Sequence, residues 1–335
     1  MPIFMIGTQR SGSNLLRLML NQLPGIAAPH PPHVLQRLMP LVPSYGDLRQ
    51  DENFQLMVED VCRLVELNPV PWEGVTLDRA NIAKRCRERS LVAVFGAVYQ
   101  ALAEAQGANT WLCKSLQNVL YLPEIQAYFP NAQYIYLYRD GRDVAVSFRK
   151  AVVGEKHFYF IAKEWADAQR LAIKHRALTP PERFVNISYE ELTAEPEKTM
   201  RRLCGFLSVE YQNSMLEFHK SEEAHRAAES SALWGNVVKP IMADNTRKFL
   251  READEADIRI FESVAGDVLD ALGYERAYVK RGQEQKFTDA DVQRFKEENE
   301  RLKREIMEKT DEEDLKRRDR QSALVSEIKK RAVTA

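Results

Sequence analysis

Ile3-Phe4-Met5-Ile6-Gly7-Thr8-Gln9-Arg10-Ser11-Gly12-Ser13-Asn14 stands at the start of the chain, and its reading decides the fold. Four apolar residues in succession read as a strand buried on both faces. The turn after them runs into residues 14–22, where Leu15, Leu16, Met19 and Leu20 share one side of a helix. A strand, a glycine turn and a helix N-terminus in this order aim several backbone N–H groups at one point, and the helix dipole adds to their pull on an anion. Gly7 and Gly12 are spaced as at the start of an ATP-type phosphate loop, but Ser13-Asn14 stands where Lys-Ser/Thr should follow. In that loop the lysine serves the outer phosphates and the hydroxyl serves magnesium. Here the cation is Arg10, before the second glycine. The loop therefore reads as a phosphate holder that works without a metal, through Arg10, Ser11, Gly12, Ser13 and Asn14. No G-x-G-x-x-G dinucleotide fingerprint is present.

Working outward, short apolar runs alternate with helical patterns. Residues 111–113, 133–138 and 184–187 read as strands, and 119–128, 143–151, 160–177 and 196–207 as helices. Residues 50–106 read as largely helical, with a break at Asn68-Pro69-Val70-Pro71. This alternation predicts an α/β fold: a P-loop-like three-layer arrangement with a central parallel sheet and a helical insertion at residues 34–106. Ligands bind at the carboxyl ends of such strands. A second candidate lies at one of those ends: Tyr138-Arg139-Asp140-Gly141-Arg142-Asp143 leads into a helix that carries Ser147. An arginine fork and a hydroxyl converging there grip a second phosphate.

The pair GTQRSGSN and YLYRDGRDVAVS resembles the sulfotransferases that use 3′-phosphoadenylyl sulfate (PAPS). Trp111-Leu112-Cys113-Lys114-Ser115 is similar to the central W-x-x-K-x segment of that family. Residues 187–192, followed by a helix ending in Gly205-Phe206-Leu207, are similar to its YEEL…FL segment. Asn236-Val237-Val238-Lys239-Pro240, with Lys248 shortly after, is similar to the late cofactor-covering segment of the protein-tyrosine and Golgi-type branch. The resemblance spans residues 2–274. Two features depart from it. The R-K-x-G segment of the steroid and phenol branch is missing, and Pro29-His30-Pro31-Pro32-His33 stands where the protein-tyrosine branch has a glutamate.

The resemblance implies a transferase with PAPS as co-substrate, adenosine 3′,5′-bisphosphate (PAP) as product and no metal. It places the 5′-phosphosulfate in the first loop, the 3′-phosphate on Arg139 and Ser147, and the adenine against Tyr189. Lys239 and Lys248 join the cofactor contacts. In-line transfer is mostly positioning and charge stabilisation. Arg10 and the loop amides hold the departing phosphate, Lys114 neutralises the bridging oxygen, and His30 or His33 takes the acceptor's proton. His157, His175, His219 and His225 read as ordinary. Trp234 reads either as a lid or as packing, and residues 40–45 as a wall of the acceptor pocket. A nucleotide kinase or NTPase, or a non-catalytic nucleotide-binding protein, is the alternative from another class.

Composition sets the outer limits. The chain has 335 residues, 48 Lys and Arg against 49 Asp and Glu, and a net charge of -1, which excludes a globally basic nucleic-acid binder. Residues 283–335 hold 14 of those bases and 14 of those acids, without glycine or proline. That boundary separates a sulfotransferase domain at 1–282 from a charged helical tail at 283–335. Val292, Phe295, Asn299, Leu302 and Ile306 fall at alternating spacings of three and four. The tail thus reads as a solvated helix on the body or as a coiled coil joining a homodimer. No apolar run reaches membrane-spanning length and no secretory signal is visible. Four scattered cysteines fit reduced thiols, so a cytoplasmic location is expected. The acceptor is open between small molecule, carbohydrate, lipid and peptide.

Overall fold

Each strand occupies a run that the sequence marks for burial: β1 (Ile3–Gly7), β2 (Ile26–Ala27), β3 (Thr110–Cys113), β4 (Gln133–Tyr138) and β5 (Phe184–Ser188). In the computed structural model, which describes residues 1–242 and 244–334, all five pair in parallel in the order β2-β3-β1-β4-β5. The chain leaves β1 towards β2 and β3 on one side and reaches β4 and β5 on the other. The carboxyl end of β1 is therefore the switch point where open parallel sheets bind ligands.

Alternation along the strands divides the interior into two layers. Phe4, Ile6, Tyr134 and Tyr136 pack on one face, against Leu35, Val61 and Phe95. That face is covered by α2 (Val34–Leu38), α3 (Asp51–Glu66), α4 (Arg79–Arg85) and α5 (Leu91–Ala105), which are the predicted insertion. Ile3, Met5, Ile135 and Leu137 pack on the other, against Leu16, Met19 and Leu203. There the cover comes from α1 (Ser13–Leu20) and, after the short α9 (Tyr189–Ala194), α10 (Pro196–Leu207). The three layers follow as the sequence predicts.

Local chemistry sets the helix ends. The helix expected over 119–128 is a 3-10 turn, Leu116–Tyr121, followed by α6 (Leu122–Tyr128), because Pro123 restarts the helix in its first turn. The helix expected from Asp143 begins two residues earlier, as α7 (Gly141–Arg149), because the Asp140 carboxylate accepts from Arg142 N at 2.9 Å. α8 (Phe158–Leu178) is capped by His157, whose Nδ1 accepts from Tyr159 N at 3.2 Å. After α11 (Glu222–Ser230), α12 (Phe249–Glu252) and α13 (Glu255–Ala271) pack with α7 and α8 in a third cluster around Trp165 and Phe261.

The tail folds back as two helices, α14 (Asp289–Glu308) and α15 (Glu312–Thr334). Two residues of its seam pack against the body. Phe295 stacks on His157 at 4.4 Å, and Asn299 is buried, its Oδ1 accepting from Lys156 N at 2.8 Å and His157 N at 2.9 Å. These side chains find polar and aromatic partners on the body, so they present no seam to a second helix. From α15, Leu324 and Ile328 enter the same core as α3. Gln321 donates to Leu64 O at 2.7 Å, and Arg331 pairs with Asp60 at 2.6 Å.

Candidate active site

β1 delivers its turn against β4. Gly7 pairs with Leu137, and a Cβ at Gly7 would sit 2.1 Å from the Leu137 carbonyl oxygen, so this turn requires glycine. Gly12 is the N-cap of α1 in the left-handed conformation, φ 86°, and no side chain caps the helix. The first N–H groups of α1 are open to an anion, and no acidic residue stands in the first turn. A Cβ on Gly12 would lie 2.4 Å from the Tyr189 ring, so the loop and Tyr189 fit together only through glycine.

Arg139, at the end of β4, joins the two motifs. Its Nη1 donates to Arg10 O at 3.1 Å, its other end donates to Asn245 O, and its guanidinium lies 4.1 Å over the Tyr189 ring. Asp143 sits 3.7 Å away and Tyr189 OH accepts from Asn245 at 2.9 Å. Arg10 Nε donates to Ser147 Oγ at 2.9 Å. The buried Arg139 Nε, a donor, has no hydrogen-bond partner and could serve a phosphate oxygen, while the buried Asn14 Oδ1, an acceptor, is also without one and would need a hydroxyl or N–H.

Lys114 follows β3 and is buried. Burial, then the charges of Arg17 and Arg10, push its ammonium down to about 7. Burial and Arg139 lower Lys248 to about 8. These cations are crowded without enough carboxylate, so an arriving polyanion restores their charge.

The two histidines sit in different settings. His33 is the N-cap of α2 at φ 59°, and burial, Lys114 and Arg37 lower it to about 3. His30 is also held well below its ordinary value, by burial first and then by Lys114, Arg17 and His33. Its Nδ1 lies 3.3 Å from Asn68 Oδ1 while its buried Nε2 has no partner. Trp234 packs edge-on at 4.4 Å from the His30 ring.

One cavity of about 940 Å³ collects these groups. Arg10, Gly12, Ser13, Asn14, His30, His33, Lys114, Arg139, Ser147, Tyr189, Lys239 and Lys248 all line it. Of the candidates, Ser11 stands apart: its buried hydroxyl pairs with Thr8 Oγ1 at 3.3 Å beneath the loop. The wall expected from residues 40–45 is also corrected. Tyr45 turns into the core, donating to Asp60 at 2.9 Å, and Gln36 and Arg37 of α2 line the cavity instead.

Sequence reasoning missed Arg17, Asn68 and Asn245. Arg17 is buried on α1, donating to Ala28 O at 2.8 Å and Glu223 at 2.7 Å, and it depresses both Lys114 and His30. A charge amid the apolar run Leu15 to Leu20 was its signal. Asn68 was visible only as part of a proline break, and Asn245 carries no local signature.

An anion-ready loop at the switch point and a second arginine on the neighbouring strand together form a site suited to a phosphate-bearing ligand. The chain matches the model of the Sulfotransferase family over residues 2–213, and it belongs to that family. It is 24% identical over 286 residues to protein-tyrosine sulfotransferase A of Caenorhabditis elegans, covering 82% of this chain and 67% of that protein. With the Drosophila melanogaster protein-tyrosine sulfotransferase it shares 24% identity over 283 residues, 82% of this chain but 51% of the relative. The same fold occurs in the sulfotransferase domain of the curacin biosynthetic pathway, with a TM-score of 0.57, 21% identity and coverage of 83% of this chain and 99% of that one. A further case is the sulfotransferase domain of the Synechococcus PCC 7002 olefin synthase, with a TM-score of 0.58, 20% identity and coverage of 82% and 94%. The protein is thus an enzyme of the sulfotransferase type. No helix among the described residues is long and apolar enough to cross a membrane.

Proposed function

We propose that this enzyme moves the sulfuryl group of PAPS to a hydroxyl or amine, with His30 as general base. The observation that carries the reading is the convergence of the uncapped α1 N-terminus, Arg10, Lys114 and Arg139 on one cavity that also holds His30. Arg10, Ser13, Asn14 and the α1 amides hold the 5′-phosphosulfate. Arg139 and Ser147 hold the 3′-phosphate, with Lys248 and Lys239 as further cations and Tyr189 beside the adenine. His30 Nε2 takes the acceptor's proton as the acceptor oxygen or nitrogen bonds sulfur. Lys114 neutralises the oxygen that keeps the electron pair as the S–O bond to the 5′-phosphate breaks, and PAP departs. Each atom is accounted for without a further reactant.

The names of the relatives make a tyrosyl peptide the first acceptor to test, ahead of carbohydrate, lipid and small metabolite. Cys62, Cys86, Cys113 and Cys204 are unpaired thiols, which supports a reducing, cytoplasmic location. The test of the donor is thermal stabilisation: PAP without magnesium raises the melting temperature of the full chain. Stabilisation by ATP with magnesium alone would overturn the reading in favour of phosphoryl transfer.

A further inference from the structure

His30 is buried against a chain segment that holds it at several points. Asn68, itself buried, follows α3 on the Asn68-Pro69-Val70-Pro71 break. Its Nδ2 donates to His30 O at 2.8 Å and to Val70 O at 3.0 Å. Trp72 Nε1 donates to the same His30 carbonyl at 2.8 Å. A carbonyl oxygen only accepts, so two carbonyls fix the NH₂ end of the Asn68 amide, and the oxygen end is left facing His30 Nδ1 at 3.3 Å.

An amide oxygen accepts only, so the ring nitrogen opposite it carries the proton. A neutral imidazole protonated on Nδ1 has its lone pair on Nε2, and His30 Nε2 is the buried nitrogen without a partner. We propose that Asn68 is a positioning residue, which locks His30 in the Nδ1–H tautomer and leaves Nε2 as the proton acceptor for the incoming nucleophile. The inference deepens the reading of His30 as the base and rests on it.

Electrostatics gives this contact a second effect. Lys114, Arg17 and His33 each oppose a positive charge on His30, whereas the Asn68 oxygen favours it. The imidazolium formed during transfer is therefore supported at Nδ1 by an amide, in the place where other sites use a carboxylate. A neutral supporter suits a cavity that must receive a polyanion: it orients the ring without adding negative charge.

The experiment uses the full-length enzyme. Long-range proton–nitrogen spectra of ¹⁵N-histidine protein, with His30→Gln identifying the His30 signals, are expected to show a protonated Nδ1 and a bare Nε2 at pH 7.5. In Asn68→Ala this preference is lost. A wild-type ring protonated on Nε2, or an unchanged tautomer in Asn68→Ala, overturns the proposal whatever the identity of the base. Turnover is read with PAPS and a tyrosyl peptide. Asn68→Ala is expected to lower kcat about 10- to 100-fold, with the thermal shift caused by PAP unchanged. The acid limb of the kcat profile moves to lower pH, because a group that raises the His30 pKa is gone. Asn68→Gln in the same assays, which keeps an amide but displaces it, is expected to recover at most part of the lost turnover. In a His30→Ala background, Asn68→Ala is expected to cost nothing more. An equal further loss there would make Asn68 structural and overturn the proposal. Full turnover in His30→Ala, with the wild-type ring protonated on Nδ1 as expected, would remove the base reading and leave the tautomer contact without a catalytic purpose.

Discussion

Two sets of residues that line the cavity are built in opposite ways. In the first set, Arg10, Gly12, Ser13, Lys114 and Arg139 stand within a few residues of the carboxyl ends of β1, β3 and β4. Their geometry is set by strand register, which fixes each residue to within one pleat. The rest of the lining includes Gln36 on α2, Gln117 and Tyr121 on a 3-10 turn, Val153 and Gly154 on a loop, and Gln321 on α15, with Gly154 against Phe148, the neighbour of Ser147. Those positions span 285 residues and meet only through packing. Under the proposed function, the first set would hold the cofactor and the second would vary with the acceptor.

The strongest way to break this division is at Lys114, which follows β3 and lines the cavity. Under the proposed mechanism, its interaction with the departing oxygen would exist mainly in the transition state. Lys114→Met is expected to lower kcat about 10²- to 10³-fold, while PAP affinity, measured by calorimetry, changes much less. Equal losses in both would make Lys114 an ordinary cofactor ligand and move the chemistry elsewhere.

Arg139 tests the first set alone. Leaving a buried phosphate without its guanidinium costs about 2–5 kcal/mol, so Arg139→Ala is expected to weaken PAP by at least about 30-fold. Adenosine 5′-phosphate, which lacks the 3′ group, should bind with little change. Equal losses for the two nucleotides would take Arg139 out of the 3′ site.

The same contrast explains what was legible beforehand. The strand β4 and the helix α10 were read to the residue, because QYIYLY alternates between two buried layers and Pro196 marks a helix start. Arg10, Lys114, Arg139 and Tyr189 all lie within three residues of a strand end. Arg10 and Arg139 were readable from motifs at the ends of predicted strands, and Lys114 and Tyr189 from segments that resemble the family. Arg17 and Asn68 were not, since each acts through a partner distant in sequence: Glu223 for the first and His30 for the second. The seam of α14 carried a true periodicity, but periodicity gives a face and not its partner. Asn299 shows this, for a polar seam position that suggests a coiled-coil register here accepts from two backbone N–H groups of the body.

A smaller effect follows from pH. Lys114 at about 7 and Lys248 at about 8 have folded-state values below the ordinary lysine range. Their charge is present below these values and lost as pH rises through them. Lys248 stands among the proposed cofactor contacts and a polyanion favours its charged form, so PAP affinity is expected to fall by about 10-fold between pH 7 and pH 9, with little share from Lys114. Binding at pH 7.5 should take up protons, read by calorimetry in two buffers of different ionisation enthalpy. Lys248→Met should flatten the upper part of this dependence. A flat profile in the wild-type enzyme would mean that the lysines keep their charge without the ligand.

The smallest effect belongs to the tail. Asn299 accepts from Lys156 N and His157 N, which precede α8, and Lys156 Nζ donates to Val153 O at 2.8 Å and Gly154 O at 2.7 Å. Val153 and Gly154 line the cavity, so this chain of contacts ties α14 to its wall. Asn299→Leu strips the acceptor from two buried N–H groups, each worth about 1–3 kcal/mol. The loop of residues 151–157 then loosens while β1 and β4, which carry the phosphate loop and Arg139, are untouched. The acceptor KM, measured with a tyrosyl peptide, is expected to rise by about 3- to 10-fold, with the PAP dissociation constant unchanged. Gln321→Ala, which leaves that loop in place and alters the wall from α15, should change KM by less. If Asn299→Leu weakened PAP as much as it weakened the acceptor, the loop would belong to the first set, and the helices beyond residue 282 would support the cofactor rather than shape the pocket for its partner.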